Sequence, residues 1–460
     1  MTISLHDTKA QELREFVPLD ASNVTMYVCG PTVQSGPHIG HVRAALSFDV
    51  LRRWLEHTYG RVTFVRNVTD IDDKVLANAT SQEEWWALAY RMEQEFAAAY
   101  AAVGIQIPTY EPRATGSVPQ MQELIAQLIE RGHAYAAAGD VYFDVRSWPS
   151  YGALTHQSID AMEPAADADP RGKRDPRDFA LWKGAKAGEP ASAVWDSPWG
   201  AGRPGWHIEC SAMARRYLGE AFDIHGGGLD LRFPHHENEL AQSTAAGDDF
   251  ASYWVHNGLV TVGGQKMSKS LGNFTLASDV LAVRDAMVVR YALLAAHYRS
   301  TLDITPSTYD EAEAALGRIR TFVDRVSRVA EVREGGTITA EFADAMNDDL
   351  GVPQALAVVH DAVRRGNSAL DDGDADTAIA LARSVVAAMR VLGFELTAAS
   401  GTSSRAEGAL DALVQTMISQ RSQARAEKDW GAADRIREAI AAAGIVLEDT
   451  ADGTHWSIND

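Results

Sequence analysis

The chain has 460 residues, of which 46% are hydrophobic and 23% are charged, and its formal net charge is −21. This composition is typical of a globular protein with roughly two to four domains, and no run of about 18 or more apolar residues predicts a membrane span. The acidic balance argues against a non-specific nucleic-acid coat, although a local basic surface can still bind RNA. The first residues lack a basic and then apolar signal region, so we expect a cytoplasmic protein.

The first motif is PTVQSGPHIGH at residues 31–41, between a strand-like run at 25–29 and a helix-like run at 43–59. A strand, a Gly/Pro turn and a helix N-terminus form a phosphate site, because free backbone N–H groups and the helix dipole point at the anion. His38 and His41 can donate further hydrogen bonds to it. Gly40 removes a side chain where a nucleotide would approach closely. We call residues 38–41 the HIGH turn and expect it to bind a nucleotide phosphate.

The second motif is KMSKS at residues 266–270, within the Gly- and Ser-containing stretch GGQKMSKSLGN. Such a stretch can bring two point charges, Lys266 and Lys269, onto a polyphosphate. Each motif alone is also typical of an ordinary turn or a basic loop. Together and in this order, the two motifs resemble the signatures of the class I aminoacyl-tRNA synthetases. The resemblance implies that His38, His41, Lys266 and Lys269 are catalytic and that the same four residues, with Gly40, bind ATP.

Strand-like and helix-like runs alternate along the first half of the chain. The strand-like runs lie at 25–29, 62–70, 140–145, 220–226 and 254–262, with helix-like runs such as 83–103 and 117–132 between them. This alternation predicts an α/β fold with a Rossmann-like parallel-sheet catalytic domain. Because ligands bind at the carboxyl ends of the strands in such sheets, the motifs that follow the strands should converge.

Composition predicts further parts after this domain. From about residue 305 the pattern is helical only and predicts a bundle. A linker at 398–404 then leads to a small α+β piece with one strong helix at 409–443. The predicted organisation is a catalytic domain at 1–110 and 196–245, a connective insertion at 111–195, a KMSKS-bearing connecting region at 246–304, a helical bundle at 305–397 and a C-terminal domain at 405–460.

Cys29 and Cys210 are the only cysteines, and a disulfide between them is not expected in a cytoplasmic protein. His235 and Glu239 stand at i and i+4 of a helix-like run and therefore share a face. Two thiolates, an imidazole and a carboxylate are a plausible ligand set for zinc. The residues alone also fit two buried apolar thiols and a structural His–Glu pair.

Further motifs extend the resemblance over nearly the whole chain. They are CGPTV before the HIGH turn, NVTDIDDK at 67–74, GWHIECSAM, DIHGGGLDL, FPHHENE and KMSKSLGN. Together they resemble the cysteinyl-tRNA synthetases of bacterial type. The resemblance implies one Zn²⁺ per chain held by Cys29, Cys210, His235 and Glu239, with Glu239 as the ligand most able to adjust. It also implies Mg²⁺ with ATP, the partners ATP, L-cysteine and tRNA(Cys), no membrane association, and a monomer.

The same resemblance assigns residues to the amino-acid pocket. It implies that the substrate cysteine is bound among Cys29, Thr69, Trp206, His225 and Asp230. Trp206 would wall the side-chain pocket, and Asp230 would meet the α-ammonium group. Ordinary packing and turn formation are the alternative roles of these last two residues. Asp70, Asp72 and Asp73 receive no role.

The C-terminal stretch ARAEKDWGAADRIREAI, followed by GIVLEDT, resembles the anticodon-binding domain of the family. Arg425, Trp430, Asp434 and Asp449 match its anticodon-contacting positions. Unpaired bases are read by stacking on aromatic rings and by hydrogen bonds to base edges, which these residue types can supply. A solvated helix is the alternative interpretation of the residues alone.

The resemblance implies a cysteine–tRNA ligase reaction. ATP would activate cysteine to cysteinyl-adenylate with release of pyrophosphate, the cysteine would then pass to tRNA(Cys), and zinc would recognise the substrate thiolate. One rival is the related ligase that joins cysteine to an amino-sugar in mycothiol synthesis, but residues 405–460 argue against it. The other rival is a non-catalytic tRNA-binding paralogue, whose signature motifs would be eroded. Here His38, His41, Lys266 and Lys269 are intact.

Overall fold

The structure is a computed structural model that describes residues 2–163, 172–267, 274–332, 336–396, 402–450 and 453–458. Its contacts divide the chain into two units, Met1–Glu395 and Leu396–Asp460. None of the described helices is long and apolar enough to cross a membrane.

The strands of the first unit are β1 (Ser4–Asp7), β2 (Glu12–Glu15), β3 (Val24–Val28), β4 (Val62–Arg66), β5 (Ala134–Ala137), β6 (Asp140–Phe143), β7 (Phe179–Gly184), β8 (Gly202–Pro204), β9 (Ala221–Gly228), β10 (Phe250–Asn257), β11 (Val260–Val262), β12 (Gln265–Lys266) and β13 (Leu302–Ile304). Its α-helices are α1 (Ile39–Tyr59), α2 (Asp73–Asn78), α3 (Trp85–Ala102), α4 (Val118–Glu130), α5 (Trp206–Leu218), α6 (Glu237–Ala246), α7 (Ala277–Leu281), α8 (Ala286–Leu294), α9 (Pro306–Ser327), α10 (Ala340–Asn347), α11 (Val352–Asp371) and α12 (Ala375–Val391).

A parallel sheet of four strands, in the order β10-β9-β3-β4, forms the centre of the first unit. The prediction of a parallel α/β fold is therefore confirmed. Strand β3 reads VTMYV and is almost wholly buried, as is β4 with VTFVR. Near-continuous apolar runs of this kind are typical of parallel strands that are covered on both faces.

The run at 140–145, which lies within the predicted insertion at 111–195, does not join this parallel sheet. It forms β6 of a separate antiparallel sheet with the order β5-β6-β7-β8. Ala138 and Gly139 both have positive φ and make a tight turn between β5 and β6. A turn this short can only join antiparallel strands, because a parallel pair needs a long crossover connection.

The helix-only stretch after residue 305 is confirmed as a bundle, formed by α9 to α12. Thr305 caps α9 in a reciprocal arrangement with Thr308, and Asp374 caps α12 by accepting from the Thr377 N–H. Each helix buries one apolar face. On α9 that face comprises Tyr309, Ala312, Leu316, Ile319, Phe322, Val323 and Val326.

The second unit contains α13 (Thr402–Ala426), α14 (Trp430–Ala442) and the antiparallel pair β14 (Ile445–Thr450) and β15 (Gly453–Ile458). The single helix predicted at 409–443 is wrong. Lys428 has a φ of 61°, and the Asp429 carboxylate accepts from the Ala432 N–H at 2.9 Å to begin a new helix. A left-handed residue followed by an Asp cap ends one helix and starts the next.

Candidate active site

Four separated segments bring two thiols, an imidazole and a carboxylate together in the first unit. Cys29 directly follows β3, Cys210 lies in α5, His235 lies in the turn before α6, and Glu239 lies in the first turn of α6. Their donor atoms all lie within 4.8 Å of one another. Glu239 Oε1 is 3.1 Å from Cys29 Sγ and 3.0 Å from His235 Nε2. We call these four residues the donor cluster.

A second set of donors overlaps the first. His225 and His236 lie with Cys29 and Glu239 in another group whose donor atoms are within 4.8 Å of one another. His225 Nε2 is 3.3 Å from Glu239 Oε2. His236 is not among the residues predicted from the sequence, where its only signal is its position beside His235 in PHHE. The two sets together therefore offer more nitrogen donors than the predicted ligand set uses.

The electrostatics of the donor cluster fit a cation. Burial raises the pKa of the Cys29 thiol well above its usual value and that of Cys210 to about 11. Burial lowers the pKa of His235 to about 3. The thiols are therefore protonated, and a bound cation is what would stabilise both as thiolates. Among the described residues, the buried His236 Nε2 also lacks a hydrogen-bond partner, as expected where a donor atom faces a metal.

Aromatic rings hold the imidazoles in place. The Trp206 ring stacks on His235 with centroids 4.2 Å apart, and His207 Nδ1 is 3.0 Å from His235 Nδ1. The His225 ring stacks on Tyr27 at 5.4 Å and an interplanar angle of 4°. Trp206 and His225, which the sequence assigns to the amino-acid pocket, thus both border the donor cluster.

Thr69 enters the site through a buried network that the sequence analysis missed. Its hydroxyl donates to Glu209 Oε2 at 2.9 Å and accepts from Asn67 Nδ2 at 3.1 Å. Burial raises the pKa of Glu209 well above its usual value. The signal for Glu209 in the sequence is its place directly before Cys210 in WHIEC. Asn67 also accepts from the Gly30 N–H, next to Cys29, so this network links both cysteines.

Asp230 differs from the other predicted pocket residues because its side chain is exposed. It lies in the short turn Leu229–Leu231 that directly follows β9. A Cβ atom at Gly228 would lie 2.4 Å from Asp230 Oδ1, so this carboxylate lies close against the backbone of Gly228. The carboxylate therefore stands at the carboxyl edge of the parallel sheet, where it can still take a ligand.

The HIGH turn is the N-terminus of α1, which begins at Ile39 rather than at the predicted residue 43. The His41 N–H donates to His38 Nδ1 at 3.3 Å, and the His38 N–H donates to His41 Nδ1 at 3.2 Å. The two rings stack at 3.6 Å. Burial and the neighbouring His38 lower the pKa of His41 to about 3, so this ring is neutral.

Backbone hydrogen bonds tie the HIGH turn to the chain beyond the KMSKS motif. The Ile39 N–H donates to the Thr275 carbonyl at 3.2 Å, and the Ala277 N–H donates to the Pro37 carbonyl at 2.8 Å. A Cβ at Gly40 would lie 3.0 Å from the His38 ring and 3.1 Å from Met267 Cε. Lys266 ends β12, but its side chain, like all of Lys269, lies outside the described residues.

The acidic residues left without a role by the sequence have structural partners. The Asp70 carboxylate accepts from the Thr115 N–H at 3.0 Å, and Asp72 caps α2. Asp73 pairs with Lys183 Nζ at 2.8 Å and with Arg203. Lys183 lies on β7 and Arg203 lies on β8. Asp73 therefore joins the antiparallel sheet to the segment after β4, which also contains Thr69.

Comparison with known proteins shows the family to which the chain belongs. Residues 15–314 match the class I (C) tRNA synthetase catalytic domain, residues 341–397 match the DALR domain, and residues 407–456 match the anticodon-binding domain of cysteinyl-tRNA ligase. A cysteine–tRNA ligase of Leifsonia xyli subsp. xyli is 62% identical over 475 residues, covering 100% of both chains. The chain belongs to the cysteine–tRNA ligase family. The sequence-based recognition of this aminoacyl-tRNA synthetase family is thus confirmed.

Other similar proteins agree with this membership. A cysteine–tRNA ligase of Clavibacter michiganensis subsp. michiganensis is 61% identical over 482 residues, with 100% of both chains covered. Among solved structures, methionyl-tRNA synthetase of Mycobacterium tuberculosis in complex with methionyl-adenylate has a TM-score of 0.58 at 16% identity, covering 81% of this chain and 89% of that one. A putative arginyl-tRNA synthetase of Campylobacter jejuni has a TM-score of 0.56 at 13% identity, covering 81% and 93%. Both structures share the class I synthetase fold.

The residues that the sequence predicts as anticodon contacts lie in the second unit. Arg425 is in the last turn of α13, and Trp430 and Asp434 lie on α14. All three side chains are exposed, with 60% of Trp430 accessible to solvent. The backbone of Asp449 pairs with Thr454 in the β14–β15 hairpin, and its side chain lies outside the described residues.

Proposed function

We propose that this chain activates L-cysteine with ATP, releases pyrophosphate, and transfers the cysteine from cysteinyl-adenylate to tRNA(Cys). The observation that carries the proposal is the donor cluster. A buried set of soft and nitrogen donors lies at the carboxyl edge of the same parallel sheet as the HIGH turn. This arrangement suits an enzyme that must recognise a thiol and bind a nucleotide side by side.

The donor cluster fits one zinc ion, with Cys29, Cys210, His235 and Glu239 as its ligands. When bound there, zinc supplies a soft acceptor for the substrate thiolate, whereas a serine hydroxyl has a much higher pKa and is a poorer ligand. Trp206 walls the pocket beside His235, because the two rings stack. Thr69 and His225 complete the pocket around the substrate side chain, and Asp230 receives the α-ammonium group.

The first step needs little proton transfer, because the attacking cysteine carboxylate is already ionised. The chain's residues therefore position the substrates and neutralise charge. Because Nδ1 of both His38 and His41 accepts a backbone hydrogen bond, the ring proton of each is on Nε2, and this Nε2–H can donate a hydrogen bond to a phosphate oxygen. Lys266 and Lys269 then stabilise the charge that develops on the leaving pyrophosphate, which binds with Mg²⁺.

In the second step a ribose hydroxyl at the end of tRNA(Cys) attacks the adenylate. The second unit selects the tRNA through Arg425, Trp430, Asp434 and Asp449. The exposed indole of Trp430 offers a stacking surface for an unpaired base. We also expect the enzyme to be cytoplasmic and to act as a monomer, with the domain boundaries predicted from the sequence.

Two assays on one metal-loaded preparation test this function. ATP–pyrophosphate exchange is measured with cysteine and with serine, and tRNA charging is measured with each amino acid. We expect exchange and charging with cysteine and strong rejection of serine. Equal use of serine would contradict thiolate recognition. Transfer of cysteine to an amino-sugar in place of tRNA would favour the mycothiol-type ligase, against which the anticodon-domain match at 407–456 argues.

A further inference from the structure

Arg43 is a buried cation on α1, directly after the HIGH turn, and only 1% of the residue is accessible to solvent. Its guanidinium donates four hydrogen bonds, all to backbone carbonyls. Nη1 donates to Gly258 at 3.2 Å and to Leu259 at 2.7 Å. Nη2 donates to His297 at 3.2 Å and to Ser300 at 2.6 Å.

These carbonyls belong to the two segments that lead into a small three-stranded sheet. Gly258 and Leu259 directly precede β11, and Ser300 stands just before β13. Strand β11 pairs in parallel with β13 and antiparallel with β12, which ends at Lys266. Arg43 therefore joins the helix that carries His41 to the hairpin that carries Lys266.

The chemistry of the contact favours a geometric role for Arg43. Burial lowers its pKa to about 10, so the group stays charged at neutral pH. Among the described residues no carboxylate forms an ion pair with it, and an unpaired buried charge is costly. A planar fork that binds two separate pairs of carbonyls fixes both their distance and their orientation, which the single ammonium of lysine cannot do.

Arg290 provides a matched comparison. It is also a fully buried arginine, and it donates to the carbonyls of Leu392 and Val103 at 2.8 and 2.9 Å. It differs in pairing with the Asp49 carboxylate at 2.6 Å. None of these three contacts reaches β11, β12 or β13. The two arginines thus resemble each other in burial and bonding, but only Arg43 contacts the segments that lead into the Lys266 hairpin.

We propose that Arg43 is a positioning residue, which holds the β11–β12 hairpin, and with it Lys266, at a fixed place relative to His38 and His41. This inference rests on the proposed function for the roles of those three residues. It deepens that function by naming the side chain that couples the two signature motifs. A misplacement of about 1 Å in such a constellation can cost on the order of 100-fold in rate.

The test compares Arg43→Met and Arg43→Lys with Arg290→Met and Arg290→Lys in the full-length, metal-loaded enzyme. Thermal unfolding is recorded first, and ATP–pyrophosphate exchange is then measured well below every transition. For Arg43→Met we expect kcat to fall roughly 10- to 100-fold while KM for cysteine stays within about 2-fold of the parent. Arg43→Lys should recover part of the loss. The Arg290 variants should lose thermal stability with near-normal kcat.

Amide hydrogen exchange of residues 259–266 supplies a readout that needs no substrate. It should become faster in Arg43→Met and stay at the parent rate in Arg290→Met. The proposal would be overturned if the Arg43 variants and the Arg290 variants lost kcat equally. It would also be overturned if amide hydrogen exchange of the hairpin stayed at the parent rate in both Arg43 variants. If Arg43→Met does not fold, the kcat and the hairpin amide exchange of Arg43→Lys, compared with those of Arg290→Lys, test the proposal instead. A parent without cysteine-dependent activity would refute the proposed function, while the hairpin data would still decide whether Arg43 holds the hairpin.

Discussion

The donor cluster lies inside the first unit, whereas the predicted anticodon contacts lie on the surface of the second. Cys210 and Glu239 are at most 1% exposed, while Trp430 is 60% exposed. The donor cluster is assembled from four separated segments, and Arg425, Trp430 and Asp434 come from one helix junction. An ion needs its ligands preformed in a desolvated cavity, whereas a base must reach an aromatic ring that is still open to solvent.

This contrast predicts how strongly each region responds to substitution. Loss of one cluster ligand leaves the other donors buried without the ion that stabilises them, so the effect should be large. Loss of an exposed stacking ring removes one favourable contact and leaves its surroundings solvated. Four measurements test this ordering, from the largest expected effect to the smallest.

The largest effect is expected for Cys210→Ser in the donor cluster. A hydroxyl is a poor zinc ligand, so the variant should bind zinc at least about 100-fold more weakly and lose cysteine-dependent pyrophosphate exchange with it. The metal content after dialysis measures zinc binding, and the rate of pyrophosphate exchange measures cysteine activation. Met213→Leu, a buried change of similar volume on the same helix, should keep both. Full metal content in Cys210→Ser would refute its assignment as a ligand.

The next effect concerns Lys269, which belongs to neither side of the comparison because it lies outside the described residues. Lys269→Ala should slow adenylate formation by about 100-fold or more, because its charge acts mainly in the transition state. Single-turnover measurements separate this rate from cysteine binding, which should change little. The exposed Lys186→Ala is the control for loss of one positive charge. A parent-like rate of adenylate formation would exclude this role for Lys269.

Trp430→Ala tests the exposed side of the comparison. Stacking of one base is worth about 1–3 kcal/mol, or roughly 5- to 150-fold in tRNA binding. tRNA charging should fall by that factor, with near-normal pyrophosphate exchange. Leu413→Ala, another exposed apolar residue of the second unit, should leave both assays unchanged. A deletion of residues 405–460 should act like Trp430→Ala but more severely, and intact charging after it would contradict an anticodon reader in this segment.

The smallest effect is expected at the half-exposed Asp73. Partial burial raises its pKa, but Lys183 and Arg203 outweigh this, and the pKa falls from 3.8 to about 2. Because the folded-state pKa is depressed, this stability is present above the unfolded pKa and is lost as the pH falls through 3.8 toward about 2. After discounting for solvent screening, Asp73→Asn should cost about 1 kcal/mol at pH 7.

Urea unfolding at a series of pH values measures this dependence. The difference between Asp73→Asn and the parent should shrink steadily below about pH 5. Asp196→Asn, a change at an exposed acid directly after the predicted insertion, should show no such difference at any pH. A difference that stays constant with pH would mean that packing, rather than the ion pairs, accounts for the loss.

Much of the fold follows from local patterns that the sequence displays openly. Apolar runs such as VTMYV, separated by helical runs, predict the parallel sheet, and the helical spacing after residue 305 predicts the bundle. The predicted helix boundaries are wrong where a single residue determines the backbone conformation. Neither the helix start at Ile39, capped by His38, nor the helix break at Lys428 follows from periodicity, because histidine is not a typical cap and a left-handed lysine is rare.

The sequence by itself determined the family, the fold class and the residue types of the predicted zinc site, because these are carried by ordered motifs along the chain. Only the tertiary structure decided which groups meet. It added His236 to the donors, joined Thr69 to Glu209, and aimed the Arg43 guanidinium at four distant carbonyls. Such contacts depend on how helices pack against strands that are far apart in sequence. Residue spacing records the order of these groups, and packing alone sets the distances between them.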